Sequence, residues 1–352
     1  MNITETRLPQ DGAIKQVLNN LNLDMRVSSL PTKKGEKIVI RILDYSMSLK
    51  GIEYLYFNES NYQKILKMIN NPNGIILVTG ATGSGKSTTV YSFLQKLNVE
   101  GVNIITVEDP VEMDIEGISQ VQVNSDIGLD FSTVLRSILR QDPNVIMIGE
   151  IRDSETARIA VRASITGHLV LSTLHTNNSL NTIERLLDMD VERYLLASAL
   201  TGIVSQKLAR KLCPKCRVKR ETTPYEKKLF KAVIGQDVDF IYVAKGCPEC
   251  SSGYRGRIAI HEVLLINQEI KDAIVRNDNK AKLRHLVYSS GTTTMLQDGL
   301  NKVVSGETSF EEIIKLIDLE DDLGTNTNLG LKETLNDSEV VNSNSNLEIL
   351  DI

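Results

Sequence analysis

The stretch GATGSGKS, from Gly80 to Ser87, leaves few folds open to this sequence. It satisfies G-x-x-x-x-G-K-[ST] at every position, a pattern that has to be judged by what flanks it. Ahead of it lies the apolar run GIILV, Gly74 to Val78, which closes with Thr79 and reads as a short buried strand. Behind it STTVYSFLQKL has helical spacing and no breaker. The unit is strand, phosphate loop, helix. Gly80, Gly83 and Gly85 leave the backbone N–H groups of the loop, including those at Ala81, Thr82 and Ser84, free to curl round a phosphate, and the helix N-terminus adds positive potential. Lys86 is placed to reach β- and γ-phosphates, Ser87 to ligate Mg²⁺, and Thr88 to follow on the first helical turn. A glycine-rich turn that matched by chance would have neither flank.

From 74 to 212 the apolar strands GIILVTG, NIITVED, VIMIGE and HLVLSTLHT alternate with helical stretches, which predicts an α/β unit with a parallel sheet and crossover helices. Ligands of such sheets sit at the carboxyl ends of strands. The polar residues fall there: Glu108 and Asp109 after the second of these strands, Glu150 after the third, His175 after the fourth. A single carboxylate after a strand is often only a helix cap. Several such ends beside one phosphate loop argue for a hydrolytic site instead. That chemistry needs one carboxylate to orient or deprotonate water and another in the magnesium shell. Gly149 stands where the usual acidic pair has its first acid, so Glu108 or Asp109 is expected to supply it beside Glu150.

Ahead of the motor unit, MRVSSL and KIVIRIL suggest two strands joined by PTKKG within residues 1–45. Two strands alone are marginal in water, so this is read as the second half of an α+β domain. Residues 46–73 read as a linker carrying the helix-like ESNYQKILKMINN. Beyond Leu212, Cys213 and Cys216 form one C-x-x-C knuckle and Cys247 and Cys250 another, and together they are all the cysteines of the chain. In a chain with no secretory signal this reads as a four-thiolate zinc site, not as disulfides. Residues 213–317 are therefore expected to be a small α-rich, zinc-stapled domain. Around the first knuckle Lys207, Arg210, Lys211, Lys215, Arg217, Lys219 and Arg220 make a basic run without interleaved aromatics, so no direct nucleic-acid contact is expected.

The formal charge of −5 conceals an asymmetry, because nine acids against one base in residues 318–352 leave the body mildly basic. That tail, with six Asn and no aromatic, is expected to be disordered. No apolar run approaches the roughly 20 residues of a spanning helix, and MNITETRLPQ has no signal core, so a cytoplasmic location is expected.

GATGSGKSTT, ITVEDPVE, LRQDPNVIMIGEIRD and TGHLVLSTLHTN, with RLPQDG and DMRVSSLPTKKGEKIVIRIL ahead and the paired C-P-x-C knuckles behind, resemble the type II secretion and type IV pilus assembly ATPases from about Arg7 to Ile317. The resemblance implies a RecA-like P-loop fold, with a strand between the phosphate-loop strand and VIMIGE. It implies a homo-hexameric motor, peripheral at the inner face of the cell membrane. There it would hydrolyse ATP with Mg²⁺ and drive pilin or pseudopilin extension through a polytopic inner-membrane platform protein. By motif position it assigns an acidic box to Glu108 through Glu112, the Walker B glutamate to Glu150 and a histidine box to His168 and His175. It also makes Arg26 and Arg41 nucleotide-reaching arginines and puts Arg136 and Arg140 ahead of the Glu150 strand. Set against the family pattern, the first domain lacks its earlier half, and the chain reads as N-terminally truncated. Rival readings are a retraction motor, a DNA-transport ATPase, and a nucleotide-binding remnant without turnover. The cysteine knuckles favour assembly over retraction.

Overall fold

The computed structural model describes residues 1–18, 21–43 and 51–317, so the expected disordered tail at 318–352 lies outside the described residues. Three antiparallel strands open the chain: β1 (Gln10–Leu18), β2 (Leu21–Thr32) and β3 (Gly35–Leu43), in that spatial order. The two expected strands are β2 and β3, with β1 added on the far side of β2. Arg26 lies directly opposite Arg41 in the β2–β3 register, so the two share a face. Strand alternation puts Ile38, Ile40 and Ile42 on the other face, where each is more than half exposed. The helix expected in the linker is α1 (Glu59–Ile69), capped by Asn58, whose side chain accepts from the Asn61 N–H.

The central sheet has seven strands. Its parallel part comprises β4 (Gly74–Thr79), β5 (Ile104–Glu108), β6 (Ser119–Gln122), β7 (Val145–Ile148) and β8 (Leu169–Leu174), joined by β9 (Leu200–Leu212). The crossovers carry α2 (Lys86–Leu97), α3 (Phe131–Ile138), α4 (Ser154–Ile165), α5 (Ser179–Asp188) and α6 (Arg193–Ala199). β4, β5, β7 and β8 are buried at every position, which is why they read as continuous apolar runs and not as alternating ones. Their two faces feed separate cores. Ile76 and Val78 of β4 pack with α1 and α2, while Ile75 and Leu77 pack with the helices on the opposite side.

The remaining elements are β10 (Val218–Glu221), α7 (Pro224–Ile234), β11 (Phe240–Val243), β12 (Tyr254–Leu265) and the helices α8 (Gln268–Val275), α9 (Lys280–Ser289), α10 (Met295–Val304) and α11 (Phe310–Leu316). The spatial order of the sheet is β12, β9, β4, β8, β7, β5, β6, with β12 antiparallel to β9. The sheet thus crosses the division expected at Leu212. β12 comes from the sequence assigned to the C-terminal unit, yet ten of its residues pair along β9. What stands apart is a third core, in which Leu229, Phe230, Ile241, Leu300 and Ile313 pack onto the distal halves of β9 and β12.

The basic run does not form a free patch. Arg210 pairs with Glu312 and lies over Tyr254, Lys215 pairs with Glu249, and Arg220 pairs with Glu226 and Glu311. Lys211, Arg217 and Lys219 lie over Tyr56, Tyr242 and Phe240, and Lys207 donates to the Leu316 carbonyl.

Candidate active site

The phosphate loop leaves the carboxyl end of β4 and ends at Gly85, where a φ of +90° turns the chain into α2. Glycine is required at Gly80 for space as well: its φ is +149°, and a Cβ there would lie 2.4 Å from the Gln206 carbonyl oxygen on β9. The Lys86 ammonium bridges the carbonyls of Gly80 (2.9 Å) and Ala81 (3.2 Å). Burial pushes its pKa below the usual lysine value, against the pull of the Glu150 charge. Ser87 is exposed on the first turn of α2, open to a metal, with Thr88 half-buried beside it.

Spatial order along the carboxyl edge follows from the pairing: phosphate loop on β4, His175 after β8, Glu150 after β7, Asp109 after β5. The Glu150 carboxylate accepts from Arg152 Nη2 at 2.5 Å and lies 3.4 Å from His175 Nε2. Arg152 also reaches Asp109 at 3.3 Å. Burial raises the Glu150 pKa, but the Arg152 hydrogen bond and the charges of Arg152, His175 and Lys86 outweigh it, so the carboxyl sits below the ordinary glutamate value. An ionised Glu150 facing Lys86 and His175 can accept a proton or orient a water. Gly149 allows the close pairing that brings it there, since a Cβ at 149 would come within 3.3 Å of the Glu108 Cα and the Val107 carbonyl.

Glu108, expected to be a catalytic acid, ends β5 at this edge, but its side chain does not join the group around Glu150. Alternation along β5 turns it toward α2 with Thr106. There it is 3% exposed, with its oxygens taken by the Tyr91 hydroxyl, Thr106 Oγ1 (2.6 Å) and Gln120 Nε2 (3.0 Å). Burial, with the Glu108 charge, raises the Tyr91 pKa, and the Tyr91 oxygen accepts from the Glu112 N–H. Glu108 therefore braces the segment that follows it. His168 also lies away from the group around Glu150. It precedes β8, at the opposite end of the sheet, where its carbonyl accepts from the Gly74 N–H and its Nδ1 lies 2.9 Å from the Ala163 carbonyl. One strand length, about 20 Å, separates it from the loop.

Arg136 bonds Glu155 in the first turn of α4, and Arg140 donates to the Arg136 carbonyl. Among the described residues neither has a hydrogen bond or ion pair to the phosphate loop. Arg26 and Arg41 line a cavity of about 580 Å³ with Val39, Pro110 and Gln122, and Arg26 pairs with Glu112 at 2.5 Å. They face the segment after β5 and not the loop of their own chain. Two contributors were not singled out in the sequence. Arg152 was signalled only by its place two residues after Glu150. Gln206, just ahead of the basic run, gave no signal at all.

The four cysteine sulfurs lie within 4.8 Å of one another, with Cys213–Cys247 at 4.0 Å, Cys216–Cys250 at 3.7 Å and Cys247–Cys250 at 3.5 Å. Tetrahedral zinc with Zn–S near 2.3 Å needs sulfurs about 3.8 Å apart, so the donor set fits that ion.

A strand order in which β8 separates the phosphate-loop strand from the Glu150 strand defines a RecA-like P-loop nucleotide-binding fold. Among solved structures it resembles the pilus retraction motor PilT with bound ADP (TM-score 0.66, 27% identity, 88% of this chain and 78% of that one). It shares its fold with the Legionella pneumophila ATPase DotB (TM-score 0.64, 21% identity, 88% and 77%). The chain belongs to the family described as type II/IV secretion system protein, whose pattern matches residues 1–315. It is 47% identical over 317 residues to the type II secretion system protein E of Pectobacterium carotovorum, which covers 90% of this chain and 63% of that protein. The type II secretion system ATPase E of Vibrio cholerae is 45% identical with the same coverage. The type IV pilus assembly ATPase PilB of Thermus thermophilus is 43% identical over 89% of this chain and 36% of its own length. The chain thus spans less than two thirds of these relatives. Among the described residues no helix is long and apolar enough to cross a membrane.

Proposed function

We propose that this chain is the motor ATPase of a type IV pilus assembly or type II secretion machine, hydrolysing ATP to ADP and phosphate to extend a pilus or pseudopilus. The observation that carries the reading is the ionised Glu150 carboxylate set between His175 and the phosphate-loop lysine at the carboxyl edge of the sheet. Glu150 orients and deprotonates the attacking water, and His175 holds the carboxylate on the loop side. Lys86 exchanges its two carbonyl partners for phosphate oxygens, and the loop N–H groups bind the β-phosphate. Ser87 and Asp109 would hold Mg²⁺, which would supply neutralisation of phosphate charge. Zinc at Cys213, Cys216, Cys247 and Cys250 is structural. The active form is a homo-hexamer in the cytoplasm against the inner membrane face, engaging a polytopic platform protein, with Arg26 and Arg41 serving a neighbour's nucleotide. Identities of 43–47% to proteins named for assembly and secretion, against 27% to the retraction motor, favour extension.

Glu150→Gln tests this reading. It keeps the shape and the Arg152 contact but removes the charge, so ATP affinity should persist while turnover falls by about 10²–10⁴. Wild-type turnover in that variant would sink the assignment. A second reading, a nucleotide-binding module with negligible turnover, draws on the exposed Ile38, Ile40 and Ile42 face of the first sheet. A monomer on gel filtration with ATP, binding without hydrolysis, would favour it.

A further inference from the structure

Gln206 lies on β9, outside every motif of the site, and its side chain is 1% exposed. Its Nε2 donates to the Ser84 carbonyl at 2.7 Å, and its Oε1 accepts from Thr89 Oγ1 at 2.8 Å. One carboxamide therefore ties the last turn of the phosphate loop to the first turn of α2 from the β9 side. Its orientation is fixed, because only the NH₂ can donate to a carbonyl and only the oxygen can accept from the threonine. Among the described residues only Asp109–Pro110 is cis, so the Ser84–Gly85 peptide is trans. In a trans peptide the C=O and the following N–H point in opposite directions. A Ser84 carbonyl drawn toward β9 therefore turns the Gly85 N–H out toward the open side of the loop, where a phosphate would sit.

We propose that Gln206 is a positioning residue for the phosphate loop, which holds the Ser84–Gly85 peptide in its phosphate-binding orientation before nucleotide arrives. This rests on reading Gly80–Ser87 as the nucleotide site. β9 is built for the task at the backbone level too. The Gln206 carbonyl fills the space where a Gly80 side chain would be, and Nε2 lies 3.2 Å from the position of a Gly85 Cβ. The buried Thr79–Ser205 hydroxyl contact, 2.9 Å, locks the preceding residues of the two strands in register. Without the amide the peptide is free to rotate, and binding has to supply the ordering.

The test is the affinity of ADP relative to AMP, measured with Mg²⁺ by competition against a fluorescent nucleotide on the full chain. Only ADP carries the β-phosphate that the loop encircles. Gln206→Met keeps the volume and removes both bonds, and should weaken ADP about tenfold while leaving AMP unchanged. Thr89→Val removes only the bond that orients the amide and should weaken ADP by about threefold, again with AMP unchanged. Equal losses for both nucleotides would reduce Gln206 to a general packing role. An unchanged ADP-to-AMP ratio in both variants would overturn the proposal, and should Gln206→Met fail to fold, Thr89→Val decides alone. Lys86→Ala separates the two levels of the argument. If it too keeps the ratio, the reading of the nucleotide site has failed; if it loses the ratio while Gln206→Met keeps it, only the role of Gln206 has.

Discussion

Removing one thiolate, Cys247→Ser, should release zinc and open a local strap without disturbing the nucleotide site. The strap is the stretch Cys213–Arg217 facing 245–253. Its own backbone bonds are few: Cys213 N–H to the Gly253 carbonyl (2.9 Å), Cys216 and Arg217 N–H to the Cys213 carbonyl (3.3 and 3.0 Å), Cys250 N–H to the Cys247 carbonyl (3.2 Å), and the reciprocal pair between Ser251 and Tyr254 (3.1 and 2.9 Å). At about 1 kcal/mol each they contribute roughly 6 kcal/mol. Ordering the backbone of 245–253 alone costs roughly 9 kcal/mol at about 1 kcal/mol per residue. The strap cannot stay ordered on those bonds, whereas a structural zinc supplies about 10–16 kcal/mol. The neighbouring core does not depend on it, since Leu229, Phe230, Ile241 and Leu300 pack by themselves and the β9–β12 ladder from Arg210 to Gly202 lies upstream. Metal analysis of freshly purified reduced protein should find one zinc per chain, and Cys247→Ser should lose it to a mild chelator. Hydrogen exchange should then rise at 213–217 and 245–253 and stay unchanged at 80–87, with ADP affinity within about twofold. Protein prepared under reducing conditions with no zinc would refute the site, and loss of ADP binding in Cys247→Ser would refute its locality.

Two further perturbations probe a buried histidine on β12 and the assembly. His261 is fully buried against Phe57 (ring centroids 4.0 Å apart), faces the Asp298–Lys302 pair, and has its pKa driven well below the usual histidine value by burial and then by Lys302. The unfolded chain takes up this proton below about pH 6.5 and the native one does not, so stability falls as pH drops, by about 1.4 kcal/mol per unit. His261→Phe should flatten that slope in denaturant midpoints between pH 7 and 5.5; the comparison must be a difference, because buried Glu262, its pKa raised by burial, contributes with the opposite sign, and an unchanged slope would refute the assignment. For the arginines, mixing an Arg26→Ala, Arg41→Ala chain with a Lys86→Ala chain, each nearly inactive alone, should restore part of the ATPase rate, since a supplied arginine is worth roughly 10³–10⁵ elsewhere. No recovery in demonstrated mixed assemblies would count against action across the interface.

The central strands were legible because burial on both faces leaves an unmistakable apolar run, and the helices because their caps and spacing are local. β9 was not. Its residues IVSQKLARKL carry polar and basic side chains whose partners, Glu312, Tyr254 and the Leu316 carbonyl, come from far downstream, 102 residues away for Arg210–Glu312 and 109 for Lys207–Leu316. Read alone, the run looks like a solvated face. β12 falls within the stretch expected to be a separate α-rich domain, since pairing with β9 is a long-range event that no window of sequence contains.

The site shows the same division within a single class of residue. Glu150 and Glu108 both lie at a strand's carboxyl end in the sequence reading, as the two candidate catalytic acids. Their fates differ because of parity and neighbours. Glu150 lies two residues past the end of β7, where the chain has left the pleat and Gly149 lets it swing toward His175. Glu108 is the last residue within β5, so its direction is fixed by Thr106 two residues earlier, and it meets Tyr91 instead of the loop. A strand boundary known only to within a few residues cannot distinguish these cases. Gln206 marks the opposite limit: a neutral side chain of ordinary type, just ahead of a run read for its charge, becomes visible only when β9 is set beside β4 and its amide is found bridging Ser84 and Thr89.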